Sequence, residues 1–269
     1  MDRSELENKL QEYRFFHTID LGDGVSTPGP AIQPHQKLIM QLIASTVRGK
    51  SVLDLGCANG LFSFHAERHG ASRILAVDNT ARVLAPMNEL LIPYFHSMVQ
   101  TKQANILSLS PDEIGRFDVV ICAGLLYHLR YPFWSLRIIR DLLVDNGILI
   151  LETAIWADSN RHALLHCPLA KDSPYMRSPS FFNSRALSET LSALGLRVQS
   201  FQHTTPLHKA ALQALGRWSF PSYVPIRRTV VVCLLDASSA DPDLAFYEGT
   251  KELKMINSRT RGHSDTETE

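Results

Sequence analysis

The sequence predicts a Rossmann-like α/β domain, a mostly parallel seven-stranded sheet flanked by helices. Three observations lead there. Short apolar runs alternate with helical stretches between residues 50 and 235. Those runs are continuous rather than alternating, as expected of strands buried on both faces by crossover helices. One run ends in a glycine-bearing turn that leads directly into a helix, the arrangement that open α/β sheets use to bind ligands.

Taken in order, the spacing predicts a short helix over residues 3–14 and an irregular glycine- and proline-rich segment, HTIDLGDGVSTPGP. A second helix spans Pro34 to Val47, with Leu38, Ile39, Leu42 and Ile43 at helical spacing. Strands follow at Ser51–Leu55, Arg73–Val77, Phe117–Cys122, Gly147–Thr153, Leu196–Gln202 and Arg228–Leu235. Val99–Ala104 is more polar, but it falls where the alternation requires a strand. Residues 1–47 therefore read as an N-terminal helical segment or lid, and 48–236 as the ligand-binding domain. Residues 237–269, polar and ending in RTRGHSDTETE, read as a disordered tail.

At 269 residues, 45% hydrophobic and 20% charged, the chain suits one large α/β domain. Lysine and arginine number 27, as do aspartate and glutamate, so no net positive charge argues for nucleic acid. Cys57, Cys122, Cys167 and Cys233 are far apart and form no CxxC pair, which argues against a zinc site, a disulfide framework or radical cluster chemistry. The charged start MDRSELENKL and the lack of any 18-residue apolar run lead to the expectation of a cytoplasmic protein with no membrane span. The sequence carries no signal of oligomeric state.

The chemistry is announced in VLDLGCANGLFSFHAERHG and ASRILAVDNT. A buried strand ends at Asp54-Leu55, turns through Gly56-Cys57-Ala58-Asn59-Gly60 and enters a helix. Glycines at such a turn let backbone amides approach a ligand. The next strand ends in Asp78, about 20 residues on, where these folds place an acid against ribose hydroxyls. The pattern is D-x-G-x-A-x-G rather than G-x-G-x-x-G, which argues against a nicotinamide oxidoreductase. Ala58 in place of the middle glycine implies a negative φ there.

This loop resembles the cofactor loop of class I S-adenosylmethionine-dependent methyltransferases. A second stretch, FDVVICAGLLYHLRYPFWSLRIIRDLLVDNGILILET, is similar to the fourth- and fifth-strand region of the bacterial wobble-uridine (tRNA mo5U) carboxymethyltransferase/methyltransferase group. The likeness continues through PYMRSPSFFNSRALSETLSALGL and RRTVVVCLL and covers most of residues 50–235. It implies the class I methyltransferase fold and S-adenosyl-L-methionine as cofactor, contacted by Asp54, Gly56, Cys57, Ala58, Gly60, Asp78, Asn79, Asn105 and Ala123.

In the wobble-uridine group the donor is carboxy-S-adenosyl-L-methionine, its extra carboxylate held by a lysine, a tyrosine and an arginine. The resemblance carries the tyrosine to Tyr127 and the arginine to Arg228. The lysine has no counterpart, the nearest basic residue being Arg14, and the larger N-terminal region of the tRNA-acting enzymes is unmatched. The expectation is therefore plain S-adenosylmethionine and a small-molecule acceptor, with tRNA as the alternative partner. An inactive, methyltransferase-like binding subunit is the remaining alternative.

Individual residues carry two readings each. Asp54 either meets the cofactor's amino group or organises the loop. Tyr127 and His128 stand over the expected transfer point as the candidate catalytic residues, His128 acting as a general base or packing as a structural histidine. His17 is a second candidate, on the N-terminal segment. Arg130, Arg137 and Arg140 face nucleic acid or form the solvated side of a helix, and Phe133, Trp134, Phe181 and Phe182 complete cores or stack on bases. No metal site is expected.

Overall fold

A computed structural model describes residues 3–173, 175–205 and 226–244. The chain opens with α1 (Arg3–Gln11) and a small hairpin, β1 (Asp20–Gly22) and β2 (Val25–Ser26), and continues into α2 (Pro34–Thr46). Then β3 (Ser51–Leu55), α3 (Leu61–Arg68) and β4 (Arg73–Asp78) form the first βαβ unit. From α4 (Ala81–Pro86) the helix widens to a π-helical stretch at Met87–Leu91, ends as α5 (Ile92–Phe95), and leads to β5 (Gln100–Gln103).

The second half runs α6 (Pro111–Ile114), β6 (Phe117–Ala123), α7 (Pro132–Asp141) and β7 (Leu143–Trp156). A short pair follows, β8 (Leu165–His166) with β9 (Phe181–Phe182), and then α8 (Ser184–Ala193), β10 (Leu196–His203) and β11 (Ile226–Leu235).

The seven-stranded sheet has the order β10-β11-β7-β6-β3-β4-β5. Pairs from β7 to β5 are parallel, and β11 runs antiparallel to both of its neighbours. The chain winds outward from β3 and then returns to β6, so β3 and β6 flank the switch in strand order. A crevice opens there at the carboxyl ends of the strands, because the crossover helices leave on opposite faces.

Strand residues divide between two cores as the two-residue period of a strand demands. Leu53, Val120, Cys122, Leu149 and Leu151 join the core under α7 and α8, whereas Val52, Ile74, Val119, Ile121 and Ile150 join that under α2 and α3. The polar Val99–Ala104 stretch does form an edge strand, β5, where only one side must pair. β7 begins earlier than the apolar pattern indicates. Its Asp145-Asn146-Gly147 turn is absorbed as an irregularity, with Asn146 at φ +60° and a register shift against β6.

The N-terminal segment is part of the second core. Leu6, Leu10, Phe15, Ile19, Leu21 and Val25 are buried in the cluster that contains Val52 and Ile74. Its loop is locked on itself: Thr27 Oγ1 donates to the His17 carbonyl, and Thr18 Oγ1 donates to the Gly29 carbonyl at 2.8 Å. It is tied outward by Arg68 to the Asp20 carbonyl and by the Tyr94 hydroxyl to the Leu21 carbonyl. At the other end, Ala237–Ser239 forms a 3-10 turn and Leu244 packs on the first core. The expected tail beyond Leu244 lies outside the described residues.

Candidate active site

The Gly56–Gly60 turn is built from alternate left-handed residues, with φ of +70° at Gly56, +48° at Ala58 and +83° at Gly60. The negative φ expected of Ala58 is thus corrected. The turn must curl back under the strand ends, because the amides of Gly56 and Cys57 both donate to the Val77 carbonyl, at 2.8 and 3.1 Å. Holding an alanine in this conformation costs roughly 1–2 kcal/mol. The Ala58 amide is held in return by the Asp78 carboxylate at 3.3 Å.

Asp78 also accepts from the Thr80 amide at 3.1 Å, so it is fixed between the two βα turns. Asp54 is almost fully buried and accepts from Ser63 Oγ at 2.6 Å. Burial pushes its carboxyl up to about 6, against the lowering effect of the Ser63 bonds. The geometry makes Asp54 a brace between β3 and α3.

Two cavities meet at this turn, and Gly56 lines both. The smaller, about 60 Å³, is bounded by Asp78, Asn79, Asn105, Ile106 and Leu125. Asn105 is held by its own turn, Oδ1 accepting from the Leu107 amide at 3.0 Å. The larger, about 330 Å³, brings together Ala58, Ala123, Tyr127, His128, Arg228 and His17, all singled out in the sequence. Asp54, Cys57 and Gly60 line neither cavity. Cys57 and Gly60 shape the turn through their backbone, and the Cys57 thiol lies in the second core.

Several residues of the larger cavity gave no signal in the sequence. His35 and Ile39 enter from the start of α2, Phe16 and Phe62 form an apolar wall, and Glu152 and Tyr175 complete the far end. Asn59, fully buried, accepts from the Phe16 amide and donates to the Val83 carbonyl at 3.3 Å, so it hangs the N-terminal wall on the glycine turn.

At the far end lies a charged cluster. Both oxygens of Glu152, on β7, accept from Arg228, on β11, through Nε and Nη2. Arg228 Nη1 donates to the hydroxyls of Tyr127, at 2.7 Å, and Tyr175, at 3.0 Å. Burial opposes the Arg228 charge, but Glu152 outweighs it and holds the guanidinium above its ordinary pKa. Burial likewise pushes Glu152 up, opposed by Arg228. The Tyr127 phenol rises to about 12, chiefly through burial.

His17 and His35 are both lowered to about 4, first of all by burial, and His35 also by the Arg228 charge. His128 is lowered by burial and then by Arg228, and its Nδ1 lies 3.1 Å from Ser178 Oγ. At neutral pH the cavity thus carries neutral imidazoles around a charge pair that cancels itself.

A cleft of similar size, about 370 Å³, lies between α7 and α8 and is lined by Phe133, Trp134, Leu194 and Leu244. Its lining is mostly apolar, with Arg137, Thr190 and Asp241 as its polar members, and shares no residue with the glycine-turn cavities, to which the chemistry points. Nearby arginines have protein partners: Arg130 donates to the Pro168 and Pro179 carbonyls, and Arg137 and Arg140 pair with Asp141. Phe181 and Phe182 are core residues.

The family model of a methyltransferase domain matches residues 32–200. The chain belongs to the methyltransferase-domain family. Among its relatives, the tRNA U34 carboxymethyltransferase of Alteromonas mediterranea is 31% identical over 176 residues, 60% of this chain and 50% of that protein. The tRNA U34 carboxymethyltransferase of Aliivibrio salmonicida is 30% identical over 187 residues, 67% of this chain and 56% of the other. The chain therefore spans about half the length of these curated relatives.

Among solved structures, the N-terminal domain of EvdMO1, crystallised with SAH and D-fucose, superposes with a TM-score of 0.64 at 18% identity, covering 88% of this chain and 98% of that one. The [4+2]-cyclase SpnF superposes with a TM-score of 0.57 at 15% identity, over 86% and 92% of the two chains. Both likenesses bear on the fold, which is that of the class I methyltransferases. Among the described residues, no helix is long and apolar enough to cross a membrane, and no cluster of three or more metal-ligating side chains occurs.

Proposed function

We propose that the chain is an S-adenosylmethionine-dependent methyltransferase acting on a small-molecule acceptor. The observation that carries this reading is Gly56, a wall shared by two cavities with Asp78 at one end and the Tyr127–Arg228 cluster at the other. A donor with a ribose at one end and an amino-acid chain at the other fits that shape. Asp78, Asn79 and Asn105 would hold its nucleoside; Gly56, Ala58 and Ala123 would border its sulfur and amino-acid end. SAH in the EvdMO1 crystals supports the same cofactor class. The four thiols, none in a disulfide, support a reducing compartment.

When bound, the sulfonium supplies an already activated methyl group. The chain has only to align the acceptor and exclude water. Phe16 and Phe62 shield the chamber, and Tyr127 and His128 border the acceptor. If the attacking atom bears a proton, His128 Nε2 takes it when the Nδ1–H tautomer donates to Ser178, and its lowered pKa keeps the ring neutral and receptive.

Plain S-adenosylmethionine is favoured because Glu152 already takes up the charge of Arg228, and among the described residues no lysine lines the cavity. The likeness to tRNA U34 carboxymethyltransferases favours the second reading, transfer from carboxy-S-adenosylmethionine to wobble uridine of tRNA.

Calorimetric titration with each donor, with Asp78→Ala as control, separates the readings. Tighter binding of the plain donor, weakened at least tenfold in the variant, is the expected result. Preference for the carboxylated donor, together with labelling of tRNA but of no metabolite pool, would favour the second reading. Binding of neither donor would overturn both.

A further inference from the structure

Tyr175 lies on a turn whose geometry is costly. Met176 and Arg177 stand at φ +50° and +56°, and neither is glycine. Such a pair costs roughly 1–2 kcal/mol per residue and persists where surrounding contacts over-determine it. Here the turn is closed by the Ser178 amide on the Tyr175 carbonyl at 3.0 Å, and both of its ends reach the cavity. Tyr175 meets Arg228, and Ser178 meets His128.

Arg228 fixes what the two tyrosines offer. Its Nη1 donates both protons, one to each phenol oxygen, so each hydroxyl is an acceptor toward Arg228 and keeps its own proton. Among the described residues neither proton has a recipient, and the high pKa of Tyr127 keeps that group a donor at neutral pH. Two oxygens bonded to one trigonal nitrogen stand roughly 5 Å apart, a spacing at which one further oxygen can accept from both. With Glu152 cancelling the Arg228 charge, the pair acts on an oxygen through its two hydrogen bonds rather than through net positive charge.

We propose that Tyr127 and Tyr175, held by one nitrogen of Arg228, form a two-donor cradle for a carbonyl or phenolate-type oxygen of the methyl acceptor. Tyr175 is the specificity-determining member, because a flexible turn would not place its hydroxyl against Tyr127. The proposal deepens the methyltransferase reading and rests on it for the identity of the ligand. It directs the search toward acceptors with an enolisable carbonyl or a phenol next to the methylated atom.

The test uses 4-nitrophenol, whose phenolate absorbance reports ionisation when bound. The full chain and the Tyr127→Phe and Tyr175→Phe variants are titrated with it, with and without saturating S-adenosylhomocysteine. Both variants keep the ring and the fold, which thermal unfolding checks. The expected result is phenolate binding with a lowered apparent pKa, weakened about tenfold or more by loss of either hydroxyl.

Absence of phenolate binding in both states, or equal binding by Tyr175→Phe, would overturn the cradle. So would loss of carboxy-S-adenosylmethionine affinity in Tyr175→Phe with the probe unaffected, since the pair would then serve the donor. Failure to bind S-adenosylhomocysteine would sink the methyltransferase reading separately, while the titration without it still decides on the cradle.

Discussion

The Phe16 amide donates to Oδ1 of Asn59, a side chain with no exposed surface. One hydrogen bond thereby joins the N-terminal wall of the cavity to the Gly56–Gly60 turn. The other end of the same amide group donates to the Val83 carbonyl, within α4. Asn59→Ala leaves the Phe16 amide unpaired, at a cost of about 1–3 kcal/mol. The expected outcome is a lower urea midpoint and weaker S-adenosylmethionine binding, read by unfolding and calorimetry. Unchanged donor affinity would mean that the wall does not border the donor.

Glu152 and Arg228 form a pair that resists the removal of one member. Glu152→Ala strands a buried guanidinium beside two phenol oxygens, and a loss of roughly 3–5 kcal/mol is expected. Removing both charges, in Glu152→Ala/Arg228→Met, should recover much of that loss, because the desolvated charge goes with its partner. Denaturant titration of the two variants checks it. A double variant as unstable as the single one would mean that the loss reflects packing rather than charge.

The glycine turn offers a paired test. At Gly60, φ is +83° and a Cβ would stand 2.6 Å from Met87 Cε and 2.9 Å from Phe64 Cε2. Gly60→Ala therefore combines backbone strain with overpacking, and about 2–4 kcal/mol should be lost. Ala58→Gly runs the other way. It relieves a left-handed alanine and should leave stability unchanged or raise it by up to ~1 kcal/mol. Thermal unfolding of the two variants would settle the signs.

Much of this was legible in the sequence. Ser51–Leu55, Gly56–Gly60 and Asp78 are local features, in which a buried strand, a turn and a strand-end acid follow one another within one βαβ unit. The same locality led to Tyr127 and His128 at the end of β6. Glu152, Tyr175 and His35 reach the site from separate parts of the chain, and the stretches that carry the resemblance give Glu152 and Tyr175 no role; Asn59 sits inside the glycine turn itself, but its part depends on Phe16, 43 residues away. Glu152 sits in an apolar run whose pattern speaks only for a strand, and its meaning depends on Arg228 lying opposite, 76 residues away. Ala58 takes a positive φ for a related reason. A propensity for negative φ is a local preference, and the tertiary demand that Gly56 and Cys57 reach Val77 outweighs it.

His17 makes the strongest prediction on pH. Its Nδ1 is buried, with no hydrogen-bond partner among the described residues, and burial lowers its pKa from 6.5 to about 4. Between those values the unfolded chain binds the proton that the folded chain refuses. Its contribution is therefore intact above pH 6.5 and lost as pH falls toward 4, at a cost of roughly 3 kcal/mol. Asp54 has the opposite sign. Its carboxyl, raised from 3.8 to about 6, takes up a proton in the folded state first, and so favours folding as pH falls through 6. His35, lowered to about 4 as well, acts in the same direction as His17 and against Asp54, so a simple stability profile mixes all three. The difference between the protein and His17→Gln isolates the histidine: the gap in unfolding free energy should shift in favour of the variant as pH drops from 7 to 4. A gap independent of pH would show that His17 is protonated as readily in the folded state as in the unfolded chain, and hence that the N-terminal wall opens to water.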